Sequence, residues 1–128
     1  MKAASYLHFK DNAREVIKTY QAIFDAEVIC EYHYDEDMTQ DPTLIGQVFH
    51  AEMKIGDLNF YLADSGVAPV FESVKFVVET GDEIQAHRYF EKLTQEGKVI
   101  YDFTKMPFGP TIAEVEDRFG VKWDVVIC

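Results

Sequence analysis

The sequence predicts an α+β fold built from two βαβββ units, each a four-stranded sheet with one helix on one face. Apolar residues recur at helical spacing in two segments, strand-like alternation follows each of them, and the order of elements repeats. A shift of 70 residues places Tyr20 on Phe90. We therefore expect one domain, residues 1–128, with unit one over about 1–65 and unit two over about 70–128.

The first half of the chain contains the signals of one complete unit. An extended segment from Ala4 to Phe9 leads to Asp11-Asn12, which are good residues to cap a helix start. The apolar residues at helical spacing that follow are Val16, Ile17, Tyr20, Ile23 and Phe24. Glu27 to Tyr34 then alternates as a strand, and Gly56-Asp57 predicts a hairpin turn between two more strands.

The second half repeats this order after a linker at residues 65–69. Ser73 to Glu79 reads as a strand, Asp82 caps the second helix, and Gly97 ends it. A further strand and a final hairpin about Asp117–Gly120 complete the unit. We expect Glu116 and Asp117 to shape that turn.

The bulk composition limits the class of protein. Of 128 residues, 48% are hydrophobic, which fits a globular chain long enough to bury a core. The net charge of −11 repels phosphate backbones, so we expect no nucleic-acid partner. No stretch is apolar enough to cross a bilayer, so we expect no membrane partner either.

The N-terminal residues lack the charged-then-apolar order of a secretory signal, because Lys10, Asp11 and Arg14 interrupt it early. We therefore expect a cytoplasmic protein. Cys30 and Cys128 lie far apart in sequence and form no CxxC pair. We expect a reduced strand residue and a terminal thiol rather than a disulfide.

Four polar side chains are the main site candidates, because strand parity points them away from the sheet face that packs against the helix. Asp124 stands in an apolar strand and points opposite to Trp123, which we expect under the second helix. His50 and Glu52 share a strand face, and Glu114 lies on the corresponding strand of unit two. A register shift of one residue would invert these faces. The predicted ligand-binding residues are His50, Glu52, Phe60, Glu114 and Asp124, with further apolar walls from Phe9, Leu62 and Phe76.

Three segments resemble one known superfamily: Tyr6–Glu15, Phe49–Asp57 and Val115–Gly120. With the duplication, they resemble the vicinal oxygen chelate superfamily of glyoxalases, bleomycin-resistance proteins and dioxygenases, and most of all its PhnB-like branch. The resemblance covers nearly the whole chain. It implies a glyoxalase-like fold, in which two units form a cupped mixed sheet with helices on the outer face, and it implies a homodimer.

The resemblance also implies where a divalent metal would bind, since the superfamily takes its ligands from the first and last strand of each unit. At those positions Asp124 would supply an oxygen ligand. The matching positions carry Phe60, Ser5 and about Val74, and Phe and Val supply no ligand. We therefore expect no cofactor of the usual kind, and we leave a divalent metal open with Asp124 and His50 as its candidate ligands.

Some PhnB-like proteins carry a ubiquinone-methyltransferase label. The sequence has no glycine-rich turn after a strand that would bind a methyl-donor cofactor, so we do not expect that activity. His8, His33 and His87 are expected to be ordinary histidines without a role in the site.

Three functions remain open, and whether the protein is an enzyme is open with them. The leading hypothesis is a protein that binds a small molecule without the usual metal set. The first alternative is a metal-dependent lyase, isomerase or dioxygenase of the glyoxalase type, using His50, Glu52 and Asp124. The second is an antibiotic-sequestering resistance protein, which binds a toxic compound without turning it over.

Overall fold

The computed structural model describes residues 1–128 and divides them into two units, residues 1–69 and 70–128. Unit 1 contains β1 (Ser5–Phe9), α1 (Ala13–Phe24), β2 (Glu27–His33), β3 (Val48–Ile55) and β4 (Leu58–Asp64). Unit 2 contains β5 (Lys75–Thr80), α2 (Glu83–Thr94), β6 (Lys98–Lys105), β7 (Thr111–Glu116) and β8 (Lys122–Ile127). This order confirms the predicted α+β architecture of two βαβββ units.

Each unit forms its own four-stranded mixed sheet. The strand order is β1-β4-β3-β2 in unit 1 and β5-β8-β7-β6 in unit 2. Only the pairs β1–β4 and β5–β8 are parallel, because a helix connects the first strand of each unit to the rest. The β3–β4 hairpin turns at Gly56-Asp57, where the sequence predicts it.

Helix α1 covers one face of the unit 1 sheet, which we call the helix-covered face; the opposite face is the helix-free face. The ring centroids of Tyr20 on α1 and Phe60 on β4 lie 5.9 Å apart, and both side chains are fully buried. The other buried residues of the helix are Ala13, Val16, Ile17 and Ile23. The contact between Tyr20 and Phe60 therefore shows which side of β4 meets the core.

Helix α2 covers the unit 2 sheet in the same way. Trp123 is fully buried, as expected for a residue under this helix, and its ring lies 5.4 Å from that of Phe76. Its indole N–H donates to Oδ2 of Asp117 at 3.0 Å, while Oδ1 of Asp117 accepts the backbone N–H groups of Phe119 and Val121. Asp117 thus shapes the β7–β8 turn, as predicted, and also satisfies the buried indole.

The two helices begin in different ways. Asn12 is the N-cap of α1, but its side chain forms no capping bond. Instead Oδ1 of the buried Asp64, at the end of β4, accepts the backbone N–H groups of Asn12 and Ala13 at 3.1 and 3.0 Å. Its Oδ2 accepts the N–H of Val48 at 3.1 Å. In unit 2 Asp82 caps α2 locally, as the sequence predicts.

Two simpler expectations concern the cysteines and the helices. Cys30 is half-buried and Cys128 is exposed, and both are free thiols. Both helices have 12 residues, and neither has the length and apolar character needed to cross a bilayer.

Candidate functional site

The four predicted polar residues all lie on the helix-free faces of their sheets. On β3, His50 and Glu52 alternate with buried Ala51, which faces the helix. Glu114 on β7 lies directly opposite Asp124 on β8. The strand parity is therefore confirmed, and each sheet brings one pair of predicted residues together: His50 with Glu52, and Glu114 with Asp124.

The expectation that Phe60 lines the site is wrong. Phe60 lies on the helix-covered face beneath Tyr20, and Tyr61, the next residue, takes the helix-free position opposite Glu52. The cause is a one-residue difference in the register of β4, which exchanges the two faces. The apolar walls expected with it also lie on helix-covered faces: Phe9 and Leu62 in unit 1 and Phe76 in unit 2.

The first-strand residues expected as counterparts of Asp124, Ser5 and about Val74, do not lie on the helix-free faces either. Ser5 pairs with Phe60 and shares its face, while Val74 precedes the start of β5. The residues that pair with the helix-free positions are Tyr6, opposite Tyr61 on β4, and Val77, opposite Asp124 on β8.

The geometry of unit 2 already supplies Asp124 with a cation. The Nζ atom of Lys75 lies 2.9 Å from Oε1 of Glu114 and 3.1 Å from Oδ2 of Asp124. The hydrogen bond to Glu114, and then the contacts with Asp124, raise the pKa of the Lys75 ammonium above its usual 10.5. The Lys75 ammonium therefore lies between the two carboxylates as a permanent positive charge at neutral pH.

The residues present do not fit the metal site that the resemblance implies. In unit 1 the first and last strands offer the phenols of Tyr6 and Tyr61, and in unit 2 they offer Val77 and Asp124. Only Asp124 is an ordinary ligand for a divalent cation, and one carboxylate among these four positions does not make a metal site. The other oxygen of Asp124, Oδ1, is buried without a hydrogen-bond partner, so it can still accept a bond from a ligand.

Unit 1 repeats the lysine–glutamate contact of unit 2. Lys2 donates to Oε1 of Glu52, and its Nζ lies 5.4 Å from the ring centroid of Tyr61. This contact raises the pKa of the Lys2 ammonium, the hydrogen bond to Glu52 being the largest cause. Glu52 and Glu114 thus hold equivalent places, each beside a lysine that comes from the N-terminal end of its unit.

A cavity of about 300 Å³ lies among aromatic side chains in unit 1, and we call it the aromatic cavity. The rings that line it are those of Tyr6, His8, Tyr34, Phe49 and His50. The centroids of Tyr6 and His8 lie 5.1 Å apart, and those of Tyr34 and Phe49 lie 5.2 Å apart, both pairs meeting edge to face. His8, for which we expected no role, therefore lines a cavity together with the predicted residue His50.

One hydrogen bond fixes the polar edge of this cavity. The hydroxyl group of Tyr6 lies 2.9 Å from Nδ1 of His50. Burial raises the pKa of Tyr6 above 10.0, with a smaller contribution from Tyr34, so its hydroxyl stays protonated at neutral pH. The pair can exchange donor and acceptor roles with the tautomer of the imidazole.

The comparisons with known proteins agree with this architecture. A family model described as 3-demethylubiquinone-9 3-methyltransferase matches residues 1–126. Protein YjdN of Escherichia coli (strain K12) is 25% identical over 137 residues, covering 96% of this chain and 92% of YjdN. The structure of the PhnB protein from Bacillus cereus superposes with a TM-score of 0.86 at 26% identity, covering 100% of both chains.

A more distant structure shows the fold alone. The glyoxylase/bleomycin resistance/dioxygenase domain from Frankia sp. EAN1pec superposes with a TM-score of 0.71 at 12% identity, covering 99% of this chain and 96% of that one. The predicted glyoxalase-like fold is thereby confirmed. The chain belongs to the PhnB-like family described as 3-demethylubiquinone-9 3-methyltransferase.

Proposed function

We propose that this protein binds a small, planar, oxygen-bearing organic molecule in the aromatic cavity, without the metal ligands usual in its superfamily. The observation that carries the proposal is the cavity itself, about 300 Å³ of space bounded by five aromatic rings. Cavities of this size and lining are typical of small-molecule sites. The cavity belongs to unit 1 alone and contains His50, one of the predicted ligand-binding residues.

The lining favours a flat ligand with a polar edge. The rings of Tyr34 and Phe49 offer an edge and a face against which an aromatic ring packs with a gain of about 0.5–1.5 kcal/mol per contact. The hydroxyl of Tyr6 and the imidazole of His50, which also line the cavity, can donate to or accept from a ligand oxygen. The polar pair would select among flat ligands by their oxygen substituents, and the rings would provide most of the affinity.

Charge narrows the ligand class further. The chain carries a net charge of −11, so long-range electrostatics disfavour a polyanion and favour a neutral or cationic ligand. Lys75 neutralises the acid at the superfamily's metal position, which supports binding that does not depend on that metal.

The proposal includes a homodimer. Each sheet exposes large apolar side chains on its edge strands: Tyr32 on β2, Val77 on β5 and Ile100 on β6. Such edges favour pairing with a second copy of the chain. Light scattering coupled to size-exclusion chromatography will measure the mass, and a monomer at micromolar concentration would remove this part of the proposal.

The binding experiment uses phenol and its saturated counterpart cyclohexanol in the presence of a chelator. We expect phenol to shift the NMR signals of Tyr6, Tyr34, Phe49 and His50, and cyclohexanol to shift them less. Phe49→Ala should weaken phenol binding about fivefold, in line with the loss of about 1 kcal/mol from one ring contact.

Phe108→Ala is the matched control, because Phe108 is an exposed phenylalanine in unit 2 that does not line the cavity. It should leave phenol binding unchanged. The proposal would be contradicted if phenol shifted only the NMR signals of residues outside the cavity. It would also be contradicted if Phe49→Ala and Phe108→Ala changed phenol binding equally.

A further inference from the structure

Three side chains with metal-binding atoms lie together on the helix-free face of the unit 1 sheet. The ligating atoms of Cys30, His50 and Glu52 all lie within 4.8 Å of one another. The strand pairing explains why: Cys30 on β2 lies directly opposite Glu52 on β3, and His50 is two residues before Glu52 on the same face. All three are partly buried.

One atom of the imidazole and one oxygen of the carboxylate are each held by a neighbour outside the cluster. The hydroxyl of Tyr6 lies 2.9 Å from Nδ1 of His50, so Nε2 remains available. Lys2 donates to Oε1 of Glu52, and Oε2 lies 3.9 Å from Sγ of Cys30. This is the arrangement found around bound metals, where outer partners fix the tautomer and orientation of the ligands.

We propose that Cys30, His50 and Glu52 bind one zinc ion. Thiolate, imidazole and carboxylate are the three ligand types that zinc takes in proteins, at about 2.3, 2.0–2.1 and 2.0–2.2 Å. A tetrahedral arrangement with these bond lengths separates sulfur from oxygen by about 3.6 Å. The 3.9 Å between Sγ and Oε2 is close to that separation, and an imidazole nitrogen of His50 lies within 4.8 Å of both atoms.

The thiolate decides which cation the site takes. Calcium and magnesium prefer oxygen ligands only, whereas sulfur with imidazole selects zinc and related transition metals. Three protein ligands leave the fourth tetrahedral position for water or a ligand oxygen. His50 also lines the aromatic cavity. The fourth position on the zinc ion would therefore lie near that cavity.

This site is separate from the position implied by the superfamily, since it uses β2 and β3 of unit 1 and neither first nor last strands. It goes beyond the proposed function, which needs no metal. On binding, the Cys30 thiol loses its proton to solvent and the sulfur becomes the thiolate ligand, so zinc affinity should rise with pH. No oxidation or reduction takes place.

The test is calorimetric titration of reduced, chelator-treated protein with zinc chloride. We expect one zinc ion per chain, and we expect Cys30→Ser and His50→Ala each to weaken binding by at least about 100-fold. The matched controls are Cys128→Ser and His87→Ala, which remove an exposed thiol and an exposed imidazole outside the cluster. They should bind zinc as the unaltered protein does.

Cobalt titration of the unaltered protein provides a readout that needs no variant. The unaltered protein with cobalt(II) should show thiolate-to-cobalt charge-transfer absorption in the near ultraviolet, and Cys30→Ser should lose it. Absence of that absorption, absence of stoichiometric zinc, or full zinc binding by Cys30→Ser would overturn the proposal. Phenol binding is measured with chelator present, so failure of the zinc site and failure of the aromatic cavity are distinguishable.

Discussion

The hydroxyl of Tyr6 on β1 is hydrogen-bonded to Nδ1 of His50 on β3, across the intervening strand β4. The ring of Tyr61 on β4 lies beneath this bond, 5.7 Å from the Tyr6 ring and 5.2 Å from the imidazole. The imidazole is thus fixed both by a polar partner and by ring packing. Its orientation determines what the aromatic cavity and the proposed zinc site can do.

Tyr6→Phe should keep the ring packing and remove only that bond. Because the outer partner of a metal-binding histidine fixes its tautomer, we expect zinc affinity to fall by about 10–100-fold. Calorimetric titration with zinc chloride measures the change. Tyr101→Phe, in unit 2, is the control and should have no effect; unchanged zinc affinity in Tyr6→Phe would show that the bond does not orient the ligand.

Lys75→Met should destabilise the fold by leaving Glu114 and Asp124 opposite each other without a cation. The lysine is half-exposed and Asp124 is buried, so we expect a loss of about 1–2 kcal/mol, between the values for exposed and buried pairs. Urea denaturation at neutral pH measures the free energy of unfolding. Lys54→Met, on an exposed β3 position, is the control, and equal losses for both variants would argue against a specific role.

The contribution of Lys75 should depend on pH in one direction. Its pKa is raised above 10.5 in the folded protein, so the stabilisation is complete below 10.5 and is lost as pH rises through the folded value. The difference in stability between the unaltered protein and Lys75→Met should therefore stay constant from about pH 8 to about pH 10 and shrink above that range. If this difference in stability increased above about pH 10, the Lys75 ammonium would not be the stabilising group.

Asp64→Ala should strongly destabilise unit 1. It removes three hydrogen bonds from backbone N–H groups to one buried carboxylate and leaves those donors unsatisfied. We expect a loss of about 2–4 kcal/mol in the free energy of unfolding, and a smaller loss for Asp64→Asn, which keeps one acceptor oxygen. Thermal and urea denaturation provide the measurement, with Glu36→Ala in an exposed loop as control.

Gly97→Ala tests a close backbone approach in unit 2. A Cβ atom at this position would collide with the carbonyl oxygen of Glu116 and lie 3.1 Å from the carbonyl carbon of Asp117. Since both neighbours are backbone, we expect a loss of about 1–3 kcal/mol. Gly81→Ala, where the nearest atom is 3.6 Å away, should cost much less; similar stabilities for the two variants would refute the clash.

The residues whose sheet face the sequence predicts correctly lie where polar and apolar side chains alternate. His50 and Glu52 are interleaved with buried Ala51 and Met53, so their face could be read from the period of two. On β4 the run from Phe60 to Ala63 is apolar throughout, and no alternation shows which side faces the helix. The sequence therefore does not show that Tyr61, and not Phe60, lies on the helix-free face.

The remaining parts of the site depend on contacts between residues far apart in sequence. Lys75 reaches Glu114 across 39 positions, and Lys2 reaches Glu52 across 50. Cys30 joins His50 and Glu52 only through the pairing of β2 with β3, which has a register shift beside Cys30. Local periodicity carries no information about such a shift.

The different caps of the two helices give the two halves of the chain different folding requirements. The start of α2 is fixed by Asp82, three positions from its partner, so this turn can form as soon as its own residues leave the ribosome. The start of α1 waits for Asp64, 52 positions beyond Asn12, and hence for nearly the whole of unit 1 to be synthesised. Two units with the same order of elements thus differ in how much of the chain must be synthesised before the helix start is fixed.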